Sequence, residues 1–122
     1  MEERLNQMNT ASEWGYLIVW EFHPKAGLES RFEQAYGPNG IWARFFRRGE
    51  GYCGTELVQD TNETGRYLTI DVWASREAYE KFRQTNLEEY NQLDRQCEEM
   101  TQAELKLGMF ERLGKEELEA NS

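Results

Sequence analysis

Three stretches of the chain, residues 15–22, 52–60 and 66–73, set bulky apolar side chains on both sides of an extended backbone. A strand with one wet face would alternate apolar with polar residues, because successive side chains project to opposite faces. In the first stretch Tyr16, Ile18, Trp20 and Phe22 point one way and Leu17 and Val19 the other. The pattern predicts strands covered on both faces. Thr61-Asn62-Glu63-Thr64-Gly65 is rich in turn formers and reads as a hairpin loop, which pairs the second and third strands antiparallel.

Between and after these strands the apolar period changes to that of a helix. His23-Pro24-Lys25-Ala26-Gly27 predicts a turn. Beyond it Leu28, Phe32, Ala35 and Tyr36 form a stripe at i, i+4, i+7 and i+8. Gly37-Pro38-Asn39-Gly40 breaks that helix, and a second, short one carries Ile41, Trp42, Phe45 and Phe46 toward the core. Arg47-Arg48 closes it as a solvated basic end suited to a helix C-terminus, rather than as an anion site. Ser75 is placed to cap a long helical stretch through Tyr79, Phe82, Leu87, Tyr90, Leu93, Cys97 and Met100, with a bend near Thr85-Asn86. Thr101-x-x-Glu104 reads as the turn into a last strand, residues 104–113, whose Leu105, Leu107, Met109 and Leu113 share one face.

The order strand, helices, strand, strand, helix, strand is a split βαβ repeat. It predicts an α+β, ferredoxin-like domain: a four-stranded antiparallel sheet with its helices on one face. The chain has helix enough for one cover. A second copy is therefore expected over the other face, giving a homodimer joined through its sheets, a dimeric α+β barrel. The domain is assigned to residues 14–113, with residues 1–13 a flexible polar arm and residues 114–122 a flexible acidic tail.

A length of 122 residues leaves room for one domain. Twenty-three acidic against fourteen basic residues give a formal net charge of −9, which repels phosphate backbones and anionic lipid and argues against nucleic-acid and membrane partners. No apolar run is long enough to span a bilayer and the start does not resemble a signal peptide, so a cytoplasmic location is expected. Cys53 and Cys97 have no CxxC spacing, no neighbouring histidine and no adjacent cation, and both read as buried thiols.

The candidate chemistry lies on the strands. On the third, Tyr67, Thr69, Asp71 and Trp73 share a face; on the second, Tyr52, Gly54, Glu56 and Val58 do. Were Asp71 and Glu56 to line one cavity, their crowding would raise one carboxyl and supply a base for a phenolic or enolisable substrate. Alternatively they sit at sheet edges or pair with Arg44, Arg47 or Arg66. Trp20, Trp42, Trp73, Tyr36, Tyr79 and Tyr90 either form an aromatic pocket for a flat small molecule or fill the core. Volume separates the two, since a ligand site should hold a few hundred Å³ and a filled core none. His23 is a turn residue, and neither a Ser-His-Asp order, a phosphate-binding glycine loop nor an HExxH motif is present.

Residues 71–82, a strand ending in Trp73 that opens directly into a helix through Ser75, Glu77, Tyr79 and Phe82, resemble the antibiotic biosynthesis monooxygenase (ABM) family of dimeric α+β barrels. Trp20-Glu21-Phe22 before Pro24 and Gly27, Gly51-Tyr52 with Gly54-Thr55-Glu56-Leu57, and the closing Gly108-Met109-Phe110 support the likeness, which covers about residues 15–111. The resemblance implies either a cofactor-independent monooxygenase, or related enzyme, acting on an aromatic or polyketide-like compound, or a non-catalytic small-molecule-binding or structural barrel. Carried over, Trp73 and Tyr79 match the family's strand-three tryptophan and the aromatic hydroxyl of the following helix; joined to the reading of the strand faces and aromatic residues above, this has Asp71 handle protons with Tyr79, while Trp73, Thr69, Glu56, Trp20, Trp42, Tyr36 and Tyr90 shape the substrate pocket. The haem-degrading branch does not fit: its catalytic tryptophan falls on Phe82, its haem-ligating histidine on Gln92 and its strand-one asparagine near Trp20, so no cofactor or metal is expected. An asparagine that some cofactor-free members carry four residues before the tryptophan is here Thr69.

Overall fold

The computed structural model describes residues 13–114, so nearly all of the expected arm and tail lies outside the described residues. Four strands, β1 (Tyr16–Pro24), β2 (Tyr52–Gln59), β3 (Tyr67–Trp73) and β4 (Thr101–Glu111), form one sheet in the order β2-β3-β1-β4, with every neighbouring pair antiparallel. Four α-helices are found among the described residues: α1 (Glu29–Tyr36), α2 (Ile41–Phe46), α3 (Arg76–Thr85) and α4 (Leu87–Cys97). The domain is α+β with the split repeat expected.

Alternation along β1 and β3 decides where the core sits. Tyr16, Ile18 and Phe22 of β1 and Tyr67 and Trp73 of β3 are buried against Phe32, Tyr36, Phe45, Phe46, Phe82 and Leu93 of the helices. The packing is mostly ring on ring: Phe32 stacks on Tyr36 with centroids 4.5 Å apart, and Phe45 meets Phe82 edge-on at 5.0 Å. Such offset and edge contacts suit the quadrupoles of aromatic rings. The opposite face presents half-buried Leu17, Val19, Leu68, Ile70 and Val72 beside exposed Val58, Leu105 and Phe110. No helix of the described chain lies over these apolar side chains.

Four local expectations change. β1 runs through His23 and Pro24, which pair with Ala103 and Thr101, so the turn starts later. By the same pairing β4 begins at Thr101, and Glu104 lies opposite Phe22 within the ladder instead of closing a turn. A register shift in β4 between the partners of Val19 and Trp20 makes Leu107 an extra residue. Leu105 consequently lies opposite Glu21 on the outer face while Met109 lies opposite Ile18 on the helix face, so these two do not share a side, and Leu113 lies beyond the strand. The bend near Thr85-Asn86 is a break between α3 and α4, where the Asn86 side chain donates to the Phe82 carbonyl at 2.9 Å. Ser75 does cap α3: its Oγ accepts from the Ala78 N–H at 3.1 Å.

Candidate functional site

One bulge sets the site. Tyr52 pairs with Trp73, but the next partner of β3, Val72, faces Gly54, so one extra residue enters β2 and its parity flips. Gly54 holds φ +139°, a conformation that side chains of L-residues rarely adopt. Past the bulge Thr55, and not Glu56, stands opposite Asp71 on the helix face, and Glu56 is exposed on the other. The pairing of Glu56 with Asp71 in one cavity is therefore corrected: no second β2 carboxylate crowds Asp71.

What Asp71 meets instead is a hydroxyl chain. The Thr55 hydroxyl, from a buried residue, donates to Asp71 Oδ1 at 2.7 Å, and because its single proton is used there the Tyr52 hydroxyl donates to Thr55 Oγ1 at 2.5 Å. Neither edge placement nor an arginine explains Asp71. β3 is a central strand, and Arg66 is held by Glu21 and Asp60 at 2.9 Å each. Arg47 donates to the Pro38 carbonyl and to Asn39 Oδ1. Burial pushes the Asp71 carboxyl up to about 6, against the Thr55 hydrogen bond, which favours the charged form. Burial likewise pushes the Tyr52 hydroxyl up to about 12.

Asp71 lines a cavity of about 40 Å³ between sheet and helices, together with Trp20, Tyr36, Trp42, Thr69 and Tyr90. Six of the nine expected site residues thus meet around one space. Phe22, Phe46, Thr55, Asp94 and Glu104 complete its lining. Asp94 and Glu104 reach it from α4 and β4, an approach visible only once the helix and the last strand are packed. The cavity has room for a few waters, far less than a flat polycyclic ligand needs. Trp42 Nε1 is buried with no well-aligned acceptor among the described residues, though the Tyr36 hydroxyl and Cys97 thiol lie near it.

Three expected site residues lie elsewhere. Glu56 is on the outer face, as above. Trp73 is wholly buried, its ring set edge-on against Phe46, Tyr52 and Tyr79 at 5.3–5.9 Å, so it supports the site from the core and does not line the cavity. Tyr79 lines a second space, an open groove of about 680 Å³ bounded by Tyr16, Arg76, Glu80, Arg83, Gln84, Leu87 and Met109. Burial raises the Tyr79 hydroxyl; the Arg83 charge opposes this and the Asp71 charge adds to it, which places Tyr79 within reach of both. His23 accepts its place in β1 beside Glu21, to which its Nε2 is bonded at 2.7 Å. Cys97 is buried, with its thiol pushed up by burial, while Cys53 is only half-buried. Among the described residues no three His, Cys, Asp or Glu side chains are grouped to hold a metal, and no helix is long and apolar enough to cross a membrane.

No curated protein sequence matches the chain. Solved structures with the same fold include PA3566 from Pseudomonas aeruginosa, 17% identical over 82% of this chain and 95% of that one, with a TM-score of 0.58. SnoaB, a cofactor-independent oxygenase from Streptomyces nogalater, is 21% identical over 80% of this chain and 91% of its own, with a TM-score of 0.53. Rv0793 from Mycobacterium tuberculosis is 15% identical over 81% of this chain and 98% of its own, with a TM-score of 0.55. Identities this low speak to the fold alone. The sequence model of the antibiotic biosynthesis monooxygenase family matches residues 15–93, most of the described domain and every strand but the last. The chain belongs to the antibiotic biosynthesis monooxygenase family.

Proposed function

We propose that the protein is a cofactor-independent monooxygenase, or a closely related enzyme, that uses Asp71 to take a proton from an enolisable aromatic or polyketide-like compound. The observation that carries this reading is a carboxyl held near 6 by burial, without a cationic partner among the described residues, on the wall of a cavity. A base poised near neutrality is what proton abstraction from a weak carbon or phenol acid requires. Once the proton is on Asp71, the substrate carbanion carries the electrons that reduce O₂. A peroxide forms at that carbon and loses water, so that CH₂ and O₂ become C=O and H₂O, and the proton held by Asp71 leaves with the water. The Thr55 and Tyr52 hydroxyls steady the ionised carboxylate between turns. Tyr79 lies on the groove side with its ring set edge-on against Trp73.

The apolar outer face of the sheet supports the assembly expected from the pattern, a homodimer with the two sheets face to face. Val58, Leu105 and Phe110 are 41%, 58% and 49% exposed in the single chain, and together with the half-buried aliphatics of β1 and β3 they make a patch of the kind that association covers.

The smallness of the cavity favours a second reading, a structural, non-catalytic barrel. Oxygen uptake separates the two. With a trihydroxyanthrone in chelator-treated buffer, the first reading expects O₂ and substrate consumed one for one, and most of that rate lost in Asp71→Asn. A rate equal to the spontaneous one across a panel of enolisable polycyclic phenols, or an unaltered rate in Asp71→Asn, is the outcome expected of the second.

A further inference from the structure

Arg83 is the unexplained charge of this molecule. It projects from α3, is half-buried, and forms no ion pair with an acidic side chain among the described residues, in a protein that carries an excess of nine negative charges. Its Nε is buried and has no hydrogen-bond partner among the described residues. A buried N–H donor left unused is costly, and in native proteins such a donor faces an ion, a water or a ligand. Arg76, on the same groove, is already engaged with Glu80 at 3.3 Å.

The surroundings say what would satisfy it. Arg83 lies with its Cζ 5.0 Å from the centroid of the Tyr90 ring, a cation–π contact that uses none of its N–H donors and leaves them for an acceptor. Tyr90 lines the inner cavity and Arg83 the outer groove, so the stacked pair stands between the two spaces. Lys106 is close enough for the Arg83 charge to be felt at its amine, adding a second positive charge nearby. The groove offers two tyrosine rings, Tyr16 and Tyr79, and two apolar side chains, Leu87 (45% exposed) and Met109 (38% exposed), in a space of about 680 Å³ that suits a ligand of a few fused rings. Inside the partition the charge reverses, because Asp71, Asp94 and Glu104 line the cavity.

We propose that the groove between α3 and the β1–β4 edge binds a flat aromatic anion, a carboxylate whose charge is received by Arg83 and whose rings lie along Tyr16, Leu87 and Met109. Recognition of the anion stands on the groove and Arg83 and needs nothing of the oxygenase reading.

The test is binding without turnover, under nitrogen, with 2-naphthoate and its neutral counterpart 2-naphthamide, followed by calorimetry and by backbone amide NMR shifts. The wild type is expected to bind the carboxylate at least about tenfold more tightly than the amide, with shifts at Tyr16, Leu87 and Met109. Arg83→Gln should lose that preference while still binding the amide as the wild type does, which shows the groove intact, and Arg83→Lys should keep part of it. Equal affinity of the wild type for the two probes overturns the proposal, as does a preference undiminished in Arg83→Gln or shifts confined to another surface. Since neither oxygen nor Asp71 chemistry enters the readout, failure here leaves the oxygenase reading standing, and a failed oxygen-uptake assay leaves this one standing.

Discussion

Replacing Asp71 by asparagine should make the protein more stable at neutral pH and leave it nearly unchanged in acid. In the folded protein burial holds the Asp71 carboxyl at about 6, whereas its ordinary value is 3.8. The folded state therefore binds the proton more tightly than the unfolded chain does. Below pH of about 3 both states are protonated and the penalty vanishes; above about 7 both are ionised and the folded state bears all of it. The difference of about 2.2 pH units corresponds to about 3 kcal/mol at about 1.4 kcal/mol per unit. At pH 4.5 the same linkage leaves a penalty of about 1 kcal/mol, and at pH 7.5 nearly the full amount. Asparagine keeps the shape and an acceptor for the Thr55 hydroxyl and cannot ionise, so its gain over the wild type should grow by about 2 kcal/mol between those two pH values. Urea unfolding followed by tryptophan fluorescence, at one fixed protein concentration so that association does not intrude, measures this directly. A gain independent of pH, or an asparagine variant less stable than the wild type at pH 7.5, refutes the reasoning, because it would mean that the carboxylate is solvated or paired in the fold.

Thr55→Val removes the hydrogen bond that favours the charged carboxylate and should move the Asp71 titration midpoint further up, read by carboxyl-carbon NMR; a midpoint that falls or stays put contradicts the geometry. Gly51→Ala should destabilise the fold by about 2 kcal/mol or more in chemical denaturation, since Gly51 has φ +92° and an added Cβ would lie 2.8 Å from the Cβ of Ala78. Leu105→Glu combined with Phe110→Glu places charge on the outer sheet face and should yield a monomer at micromolar concentration by light scattering; a persisting dimer locates the interface elsewhere. Arg48→Ala, which breaks an exposed 2.6 Å pair with Glu89 and a stack on Phe45, should change the thermal midpoint by no more than a degree or two.

Periodicity carries far in this chain because most elements are strongly patterned. Tyr16, Ile18, Phe22, Tyr67 and Trp73 are buried as alternation requires, and Phe32 and Tyr36 as the helical stripe requires. It fails wherever one residue is added to a strand. The alternation of Tyr52-Cys53-Gly54 does not by itself separate a regular strand from a bulged one, yet that extra residue exchanges Glu56 for Thr55 beside Asp71 and so replaces a carboxylate pair by a hydroxyl relay. Gly54 was the available signal, for an isolated glycine in a strand often marks a bulge. The same parity error at Leu107 separates Leu105 from Met109. Trp73 shows a different limit: alternation gives the face of a side chain but not its depth, and four aromatic neighbours, Phe46, Tyr52, Tyr79 and Phe82, close over it. Arg83 has no signal in the sequence, since its unused donor emerges only from the packing of α3 against Tyr90.

The account turns on a single buried acid, Asp71, that can lose its proton near neutral pH with no cationic partner among the described residues. Carboxyl-carbon NMR of the aspartates, with the Asp71 signal assigned by its absence from Asp71→Asn, tests this most directly. A midpoint near 6, about two units above an ordinary aspartate, is the predicted result; a midpoint near 4 would show Asp71 fully ionised and hydrated under all physiological conditions and would contradict its role as the proton acceptor.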